Sequence, residues 1–489
     1  MKFSRIKIII LLSLSLITLL AFIFPVLDKI KNLKSALIIE EDKPLEREIE
    51  YVEKVEYERI KKQLAEVTRG SMDRMDLIKF KKYEKLKFLN LNEFKSNEDS
   101  ISINIQKFLL PQLTVGKHVL ARGTGYLDIF DNNLIIITGN GFLAHIELSD
   151  LENLEQQNDR ILVSMNIIDT NIFEHITYDQ FYLNGRFGVK DLLVHNNKLY
   201  ISYSNKEIDG GYGFQHLDCF NTGILVAELN FKKINFEEFY KPKKCVKIGN
   251  EYGSFNAHHA GGRMIVAKNK IIFTQGEYKY RDLAQDDNVE LGKIVELNFD
   301  GTLNRIISKG HRNPQGLYFD YDKEIIFSTE HGAMGGDEIN IVRLDKNEVS
   351  NYGWPVASYG KFYPGDIGPF NQDILPSEIV KYLHPKKKHS EFGFIEPLKF
   401  YNPSIGVSQI VGNINFPTNK NSFYLVGSMG DINVDYQSSL YLYELNENNK
   451  IINEYKLKLD ERIRDIVRYK EKYYLFFENS PSIGVITFN

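Results

Sequence analysis

The chain has 489 residues, 43% of them hydrophobic, so it can bury a sizeable core and is not mainly disordered. Its 61 basic residues are balanced by 65 acidic ones, which argues against a nucleic-acid partner because nucleic-acid binders carry basic surfaces. Aromatic residues make up 12% and glycines number 34, a balance typical of all-β proteins. The two cysteines, Cys219 and Cys245, are too few for a disulfide-built scaffold, a zinc ribbon or an iron–sulfur protein.

The first element is an uncharged apolar segment at residues 8–27, preceded by Lys2, Arg5 and Lys7. A helix of this length spans a bilayer. A cleaved signal peptide is the alternative, but its apolar core is usually shorter, and no small-x-small site follows here. We therefore expect residues 1–34 to be an uncleaved membrane anchor, with the rest of the chain on the periplasmic or extracellular side.

A charge-dense segment follows the anchor. Residues 46–62 carry Glu, Lys and Arg at i,i+4 spacings beside a stripe of apolar residues, which predicts a surface helix. A coiled-coil stalk is the alternative, but it requires sustained apolar heptads that this segment lacks. The prediction is a charged helical spacer at 35–95 and a folded domain at 96–489.

The folded domain repeats one pattern six times: an apolar strand, a short polar turn and a second β-rich strand. Consecutive turns are about 50 to 100 residues apart, which leaves room for a second hairpin and hence a four-stranded sheet per repeat. The prediction is an all-β, six-bladed β-propeller, whereas a large β-sandwich has no need of six similar units. The longest interval predicts an insertion between blades at 356–398. The turns are centred on residues 133, 197, 269, 323, 420 and 471.

The hairpins also predict where polar side chains collect. Residues before the first strand and after the second strand of an antiparallel hairpin lie at the same end. This end would carry histidine, several arginines and several carboxylates, a composition suited to an anionic cofactor and a general base. The residues before the strands are Arg186, 258–259, 311–313 and 462–465, and those after them are 275–277, 330–338 and 427–428.

Several motifs of the repeat region together carry a family resemblance. They are GHRNPQGL at 310–317, STEHGAMGGDEIN at 328–340, NYGWP at 351–355, HHAGGR at 258–263, LGKI at 291–294, NPSI at 402–405 and RIRD at 462–465. In this order they resemble the soluble quinoprotein aldose dehydrogenases, the glucose/sorbosone dehydrogenase-like family that uses pyrroloquinoline quinone (PQQ) on a six-bladed propeller. The resemblance covers about 180–489.

The resemblance implies catalytic roles for three residues. His259 occupies the position of the base that takes the C1 hydroxyl proton of an aldose while hydride passes to the quinone. Glu277 stands where the family has an aspartate that orients the base. Arg312 matches an arginine beside the quinone oxygens, where a permanent cation stabilises the reduced cofactor.

The resemblance also implies a cofactor site and a calcium site. The cofactor-binding residues would be Arg186, Arg312, Asn313, Arg462 and Arg464. The alternative for Arg462 and Arg464 is a surface ion pair with Asp465 or Glu461. The backbone carbonyls of Gly332 and Ala333 would hold the calcium ion. The nearby acids Glu330, Asp337 and Glu338 are expected to cap this loop rather than bind the metal.

Four positions depart from the family pattern. Arg186 stands in place of glutamine, Ala333 in place of proline and Glu277 in place of aspartate. Gly430 falls near the position of a cofactor-binding lysine. We hypothesise that Arg186 replaces the missing lysine cation.

The sequence therefore predicts an enzyme that oxidises an aldose at C1 to the lactone with PQQ and calcium and passes electrons to an unknown acceptor. The alternatives are an inactive propeller that serves as a ligand- or partner-binding module and, less favoured, a calcium lactonase. An exported domain would pair Cys219 with Cys245, and two buried free thiols are the other possibility.

Overall fold

The computed structural model describes residues 84–488 apart from the gaps given below. The predicted anchor at 1–34, and the spacer before residue 84, lie outside the described residues. Within the described part, no helix is long and apolar enough to cross a membrane. The gaps are 96–101, 111–113, 116–117, 120–123, 140, 153–161, 177–179, 181–186, 210–215, 251–254, 364–387, 415–420, 431–437, 460 and 480.

The described chain is almost entirely β-structure, beginning with strands that precede the first blade and continuing with blades 1 and 2. The preceding strands are β1 (Glu84–Lys95), β2 (Ser102–Leu109), β3 (Thr114–Val115) and β4 (His118–Val119). Blade 1 is β5 (Gly125–Phe130), β6 (Asn133–Thr138), β7 (Leu143–Glu147), the helix α1 (Leu148–Glu152) and β8 (Leu162–Ile167), followed by β9 (Asp169–Thr170). Blade 2 is β10 (Val189–His195), β11 (Lys198–Ile208), β12 (Cys219–Glu228), β14 (Glu237–Tyr240) and β15 (Val246–Lys247), while β13 (Lys233–Ile234) pairs with β9 in a separate two-stranded sheet.

Blades 3 to 6 follow in chain order. Blade 3 is β16 (Gly261–Ala267), β17 (Lys270–Gln275), β18 (Lys293–Leu297) and β19 (Leu303–Lys309). Blade 4 is β20 (Pro314–Asp320), β21 (Ile325–Glu330), β22 (Asp337–Arg343), then β23 (Ser350–Asn351), which pairs with β19, and β24 (Lys399–Tyr401). Blade 5 is β25 (Val407–Ile414), β26 (Ser422–Ser428), β27 (Ser439–Leu445) and β28 (Ile451–Lys458). Blade 6 holds β29 (Ile463–Tyr469), β30 (Lys472–Phe477) and β31 (Ser482–Phe488). Single 3-10 turns lie at Ile172–Glu174, Arg281–Ala284 and Ser390–Phe392.

These strands confirm the predicted six-bladed propeller among the described residues. The last blade is closed by the N-terminal strand β2, which pairs antiparallel with β31. β1 then pairs with both β2 and β8, so blades 6 and 1 belong to one nine-stranded sheet. The predicted helical spacer is therefore wrong at its end, because Glu84–Lys95 forms a strand. The hydrogen bonds of that strand are made with two sheet partners, which local helical periodicity does not reveal.

The six predicted hairpins form the first two strands of the six blades. In blades 1 to 3 the connecting loop has two residues, and both have positive φ. Asp131 and Asn132, for example, have φ of 44° and 61°. Turns of this kind match the right-handed twist of the strands and favour Asn and Asp. The turn chemistry in the sequence therefore located these hairpins.

The predicted insertion belongs to a different place in the fold. Residues 356–398 lie between β22 and β24, the third and fourth strands of blade 4, and not between two blades. The prediction was wrong because turn spacing measures the interval between blades without showing which strands enclose the extra residues. The cysteines are bridged, with sulfur atoms of Cys219 and Cys245 2.05 Å apart. This bridge ties β12 to the segment just before β15.

Neighbouring blades are held together by apolar packing and by buried acids. The rings of Phe327 in blade 4 and Tyr424 in blade 5 lie 4.4 Å apart. The Asp465 carboxylate of β29 accepts a hydrogen bond from the backbone N–H of Leu127 in β5, at 2.7 Å. The Asp128 and Asp191 carboxylates make equivalent bonds from blade 1 to blade 2 and from blade 2 to blade 3. Such bonds satisfy buried polar groups while fixing the rotation of one blade against the next.

Candidate functional site

The polar residues gather at the end of the propeller where the first strand of each blade begins and the second strand ends. We call this end the mouth and the first strands the inner strands. His259 lies just before β16 and Glu277 just after β17, so one hairpin brings both to the mouth. The His259 Nδ1 atom lies 2.7 Å from Glu277 Oε1. Both side chains are buried.

Arg312 contacts the other ring nitrogen of this histidine. It lies just before β20, and its Nη2 atom is 3.0 Å from His259 Nε2. A guanidinium only donates hydrogen bonds, and an ionised carboxylate only accepts them. The proton of the imidazole is therefore on Nδ1, facing Glu277, and the lone pair is on Nε2. The geometry defines a neutral histidine in one tautomer, with its basic nitrogen facing Arg312.

Arg312 is itself held by several contacts. Its Nη1 atom donates to the carbonyl oxygen of His331 at 3.0 Å, and its guanidinium lies 5.4 Å from the ring centre of Trp354. The Glu330 carboxylate accepts a hydrogen bond from the backbone N–H of Arg312 and another from His311 Nδ1. Trp354 is itself buried, so this cation–π contact is shielded from water.

Arg462 and Arg464 lie at the start of β29 and share one buried carboxylate. Arg462 Nε donates to Glu478 Oε2 at 3.1 Å, and Arg464 Nε donates to Glu478 Oε1 at 2.6 Å. Burial raises the pKa of Glu478, but the charges and hydrogen bonds of the two arginines outweigh it and bring the pKa down to about 2. This carboxylate therefore stays ionised and holds the two guanidinium groups in place.

The ion pairs considered from the sequence are not the ones formed. Asp465 pairs with Arg263, at 2.6 Å, and Glu461 pairs with Lys107. Asp465 is therefore a partner across blades rather than a partner of its neighbours in the strand. Its carboxylate is engaged by Arg263 of blade 3 and by the backbone N–H of Leu127 in blade 1.

A chain of polar contacts links Arg464 to the histidine. Arg464 Nη1 donates to Gln315 Oε1 at 3.1 Å, and Gln315 Nε2 donates to Asn313 Oδ1 at 2.9 Å. The same Asn313 oxygen accepts from the backbone N–H of Gly261, two residues after His259, at 3.1 Å. The structure therefore brings His259, Glu277, Arg312, Asn313, Arg462 and Arg464 to the mouth.

The second residue of the inner strands also lies at the mouth. The register shifts next to it in five of the six inner strands, and in three of them the second residue is itself the single extra residue of a β-bulge. In β29 the register pairs Ile463 and Asp465 with consecutive residues of β30, so Arg464 is the extra residue. Gln315 in β20 and Lys190 in β10 are extra in the same way. Bulges near a site change the direction of a side chain. We call Lys190, Gln315 and Arg464 the bulge residues.

The predicted metal loop connects β21 to β22. Asp337 Oδ1 accepts from the Gly332 N–H at 3.1 Å, and its Oδ2 accepts from the backbone N–H groups of 405–407. Asp337 therefore caps the loop, as expected. The Ala333 carbonyl accepts from Ser404 Oγ at 3.3 Å. Among the described residues there is no cluster of three His, Cys, Asp or Glu side chains that could hold a metal ion.

The two remaining departures from the family pattern that concern cofactor charge are Arg186 and Gly430. Arg186 lies in the gap 181–186, outside the described residues. Gly430 lies at the mouth end of blade 5, where its N–H donates to the Ile405 carbonyl at 2.8 Å. Its φ of 64° is in the left-handed region, where a residue with a Cβ is strained. A lysine at this position would therefore cost conformational energy.

Sequence reasoning missed Glu478, Gln315 and Lys190. Glu478 directly follows β30, so the hairpin rule that located the other mouth residues could have found it. Gln315 was within a quoted motif but had no assigned role. Lys190 gave a weak signal because it stands beside Asp191 near the start of its strand, and the direction of its side chain depends on a bulge that the sequence does not show.

The sequence profile of the family described as Glucose / Sorbosone dehydrogenase matches residues 164–484, more than half of the chain. The chain belongs to the glucose/sorbosone dehydrogenase family. This confirms the resemblance read from the motifs, and with it the prediction of an oxidoreductase.

Among its relatives is the aldose sugar dehydrogenase YliI of Escherichia coli (strain K12), 27% identical over 326 residues, which cover 62% of this chain and 77% of the relative. The quinoprotein glucose dehydrogenase B of Acinetobacter calcoaceticus is 30% identical over 203 residues, which cover 33% of this chain and 41% of the relative. The crystal structure of the soluble aldose sugar dehydrogenase of Escherichia coli in the apo-form has the same fold. Its TM-score is 0.54 at 20% identity, over 79% of this chain and 99% of that one.

Proposed function

We propose that this family member oxidises an aldose at C1 to the lactone in a PQQ-dependent reaction with His259 as general base. The observation that carries the proposal is the contact series from Glu277 to His259 to Arg312, with separations of 2.7 and 3.0 Å. It provides a neutral imidazole whose Nδ1–H faces a carboxylate and whose basic Nε2 faces a permanent cation. The quinoprotein among the relatives and the motif resemblance support the choice of cofactor.

The proton of the C1 hydroxyl passes to His259 Nε2, the nitrogen that carries the lone pair. The imidazolium formed is stabilised by the Glu277 carboxylate, which accepts its Nδ1–H at 2.7 Å. Glu277 is fully buried, so its charge acts at low dielectric. Glu277 can therefore both orient the ring and favour the protonated product of the proton transfer.

PQQ, when bound, supplies the hydride acceptor, and the donor set of the mouth suits its several carboxylates and quinone oxygens. The permanent cations Arg312, Arg462 and Arg464 are buried or partly buried around the mouth. Charge-assisted hydrogen bonds of this type are roughly twice as strong as neutral ones. Asn313 and, by the resemblance, Arg186 would complete the set.

We also propose that a calcium ion binds at the carbonyl groups of Gly332 and Ala333. Calcium takes six to eight oxygen ligands, so two carbonyls would need water and cofactor oxygens to complete the shell. The loop that carries them is held by Asp337, whose Oδ1 accepts from the Gly332 N–H and whose Oδ2 accepts from the backbone N–H groups of 405–407. Calcium binding should therefore depend on the cofactor, and calcium titration with and without PQQ would measure this.

The experiment that tests the proposed function uses purified full-length protein in mild detergent. The protein is reconstituted with PQQ and calcium, and reduction of an electron-accepting dye is followed with a panel of aldoses. We expect aldose-dependent dye reduction and the corresponding lactone as product. Tight PQQ binding without oxidation of any sugar, or no PQQ binding, would overturn the proposal in favour of a binding module.

For location, we propose that residues 1–34 tether the propeller to a membrane, with the propeller on the periplasmic or extracellular side. The apolar segment at 8–27 and the Cys219–Cys245 bridge support this, because disulfides persist in oxidising compartments. Fractionation of cells after deletion of residues 1–34 tests the tether. Loss of membrane association is expected, and unchanged association would overturn the proposed anchor.

A further inference from the structure

Lys190 is the second residue of the inner strand β10. Gln315 and Arg464 hold the same position in the inner strands β20 and β29. All three stand at a register shift next to the mouth: in β10 the residues Val189 and Asp191 pair with the consecutive residues Tyr203 and Ser202, which leaves Lys190 extra. Since Arg464 and Gln315 contact each other at 3.1 Å, equivalent positions in different blades converge on the same space. The position of Lys190 thus follows from the symmetry of the propeller.

The neighbouring blade leaves room for the Lys190 side chain. The second residue of β16 is Gly262, with φ of 111°, and a Cβ at that position would lie 2.4 Å from the Cβ of Lys190. Any larger residue at Gly262 would collide with the lysine stem. The stem thus passes over the start of β16, and the residue remains partly exposed.

The surroundings of Lys190 disfavour its charge in the unliganded protein. Burial, with the nearby charge of Arg464, lowers the pKa of Lys190 to about 7. Asp191, the next residue in β10, is engaged by Arg263 Nη1 at 2.8 Å and by the Met264 N–H. An anionic ligand at the mouth would favour the protonated lysine and be held by it.

We propose that Lys190 binds a carboxylate of the anionic cofactor and serves as the cation that Gly430 does not supply. This inference rests on the proposed function, and it assigns a cofactor contact that is specific to this chain. Two features support it independently: the bulge that aligns Lys190 with Arg464, and the glycine in the next blade that accommodates its stem. Arg186 stays a separate prediction.

The proposal predicts that the protein takes up a proton when the cofactor binds at pH 8. At pH 8 a lysine with a pKa near 7 is mostly neutral, so binding of a carboxylate that raises its pKa takes up a proton. The titratable groups beside Lys190 and Arg464 keep their charges at this pH. Burial raises the pKa of Tyr126 to about 12, that of Glu478 is about 2, and Asp191, raised by burial to about 7, is mostly ionised. Arg263 and Arg464 are permanent cations.

The test is calorimetric titration of full-length, cofactor-free protein with PQQ at pH 8 in the presence of calcium. Tris and HEPES buffers differ in ionisation enthalpy, so the difference between the binding enthalpies measured in the two buffers gives the number of protons taken up. Lys190→Met should bind about 10- to 150-fold more weakly, as expected for loss of one charge-assisted contact. Lys190→Arg should keep most of the affinity but lose the proton uptake of the wild type. Lys198→Met, at the opposite end of the same hairpin, is the matched control and should resemble the wild type.

The outcomes separate this inference from the proposed function. If Lys190→Met binds PQQ within twofold of the wild type with the same proton uptake, the inference is wrong and the dehydrogenase proposal stands. If the wild type does not bind PQQ, both are wrong. If Lys190→Met melts at a much lower temperature than the wild type, its PQQ affinity no longer tests the inference. The test is then the proton uptake of Lys190→Arg, and uptake equal to that of the wild type would overturn the inference.

Discussion

The two sides of the mouth use the same residue types in opposite ways. On the proton-transfer side, formed by His259, Glu277 and Arg312, acceptor and donor alternate, so each ring nitrogen has one role. On the charge side, formed by Lys190, Arg462, Arg464 and Glu478, two arginines share one carboxylate and Lys190 lies near the charge of Arg464. The first arrangement specifies a protonation state, and the second concentrates positive charge. Mutations on the first side should therefore change turnover, and mutations on the second should change cofactor affinity or stability.

The largest effect is expected on the proton-transfer side. His259→Ala should lower turnover by about 10²- to 10⁴-fold because it removes the base, while PQQ affinity stays within a few fold. Dye reduction measures the first quantity and titration of cofactor-free protein the second. The adjacent, exposed His258 provides the matched control, His258→Ala, which should behave as the wild type. Unchanged turnover in His259→Ala would remove this residue from the mechanism.

On the charge side, Glu478→Gln should lower the free energy of unfolding by about 3 kcal/mol at pH 7, because it leaves two partly buried guanidinium groups without their anion. The pKa of Glu478 is depressed to about 2, so its contribution is complete above the ordinary value of 4.5 and is lost as the pH falls toward 2.

Urea unfolding at pH 7 and at lower pH measures the difference between this variant and the wild type. The difference should shrink as the pH approaches 2. Glu471→Gln, at the exposed turn of the same hairpin, should have little effect. Equal stability of Glu478→Gln and the wild type at pH 7 would show that the arginines do not need this carboxylate.

Glu277→Gln tests whether the charge of Glu277 contributes to turnover on the proton-transfer side. The amide cannot stabilise the imidazolium by charge, so turnover should fall by about 10- to 150-fold, in line with one hydrogen bond to a charged group. The Michaelis constant and PQQ affinity should change little. Glu277→Asp, which restores the residue found in the family pattern, should recover most of the turnover. A positioning role is contradicted if both variants lose activity equally.

Arg186→Gln tests whether Arg186, which lies outside the described residues, also contributes to cofactor binding on the charge side. If Arg186 holds a cofactor carboxylate, PQQ affinity should fall by about 10- to 150-fold. Gly430→Lys in that background should restore part of the affinity, limited by the left-handed backbone at this position. Arg343→Gln, on an exposed part of β22, is the control. Wild-type affinity in Arg186→Gln would leave Arg186 without a cofactor role.

Much of this molecule was readable from local sequence. The six hairpins follow from period-2 alternation with Asn- and Asp-rich turns, as at Asp131–Asn132, where two positive φ angles are required. The motif order identified the family, and the hairpin rule brought His259, Glu277 and Arg312 to one end. These features depend on residues close in the chain, or on a rule that holds for every hairpin.

Only the tertiary structure decided which blade and which partner each residue has. β1 is a strand because it pairs with β2 and β8, although its sequence was included in a predicted helical spacer. Arg464 pairs with Glu478, whereas the Asp465 carboxylate is engaged by Arg263 and Leu127 of other blades. The bulge at Lys190 exists only in register with β11. Contacts between blades join residues more than 300 positions apart in the chain, such as Leu127 and Asp465. Local periodicity contains no information about such pairs, because they form only when the ring of blades closes.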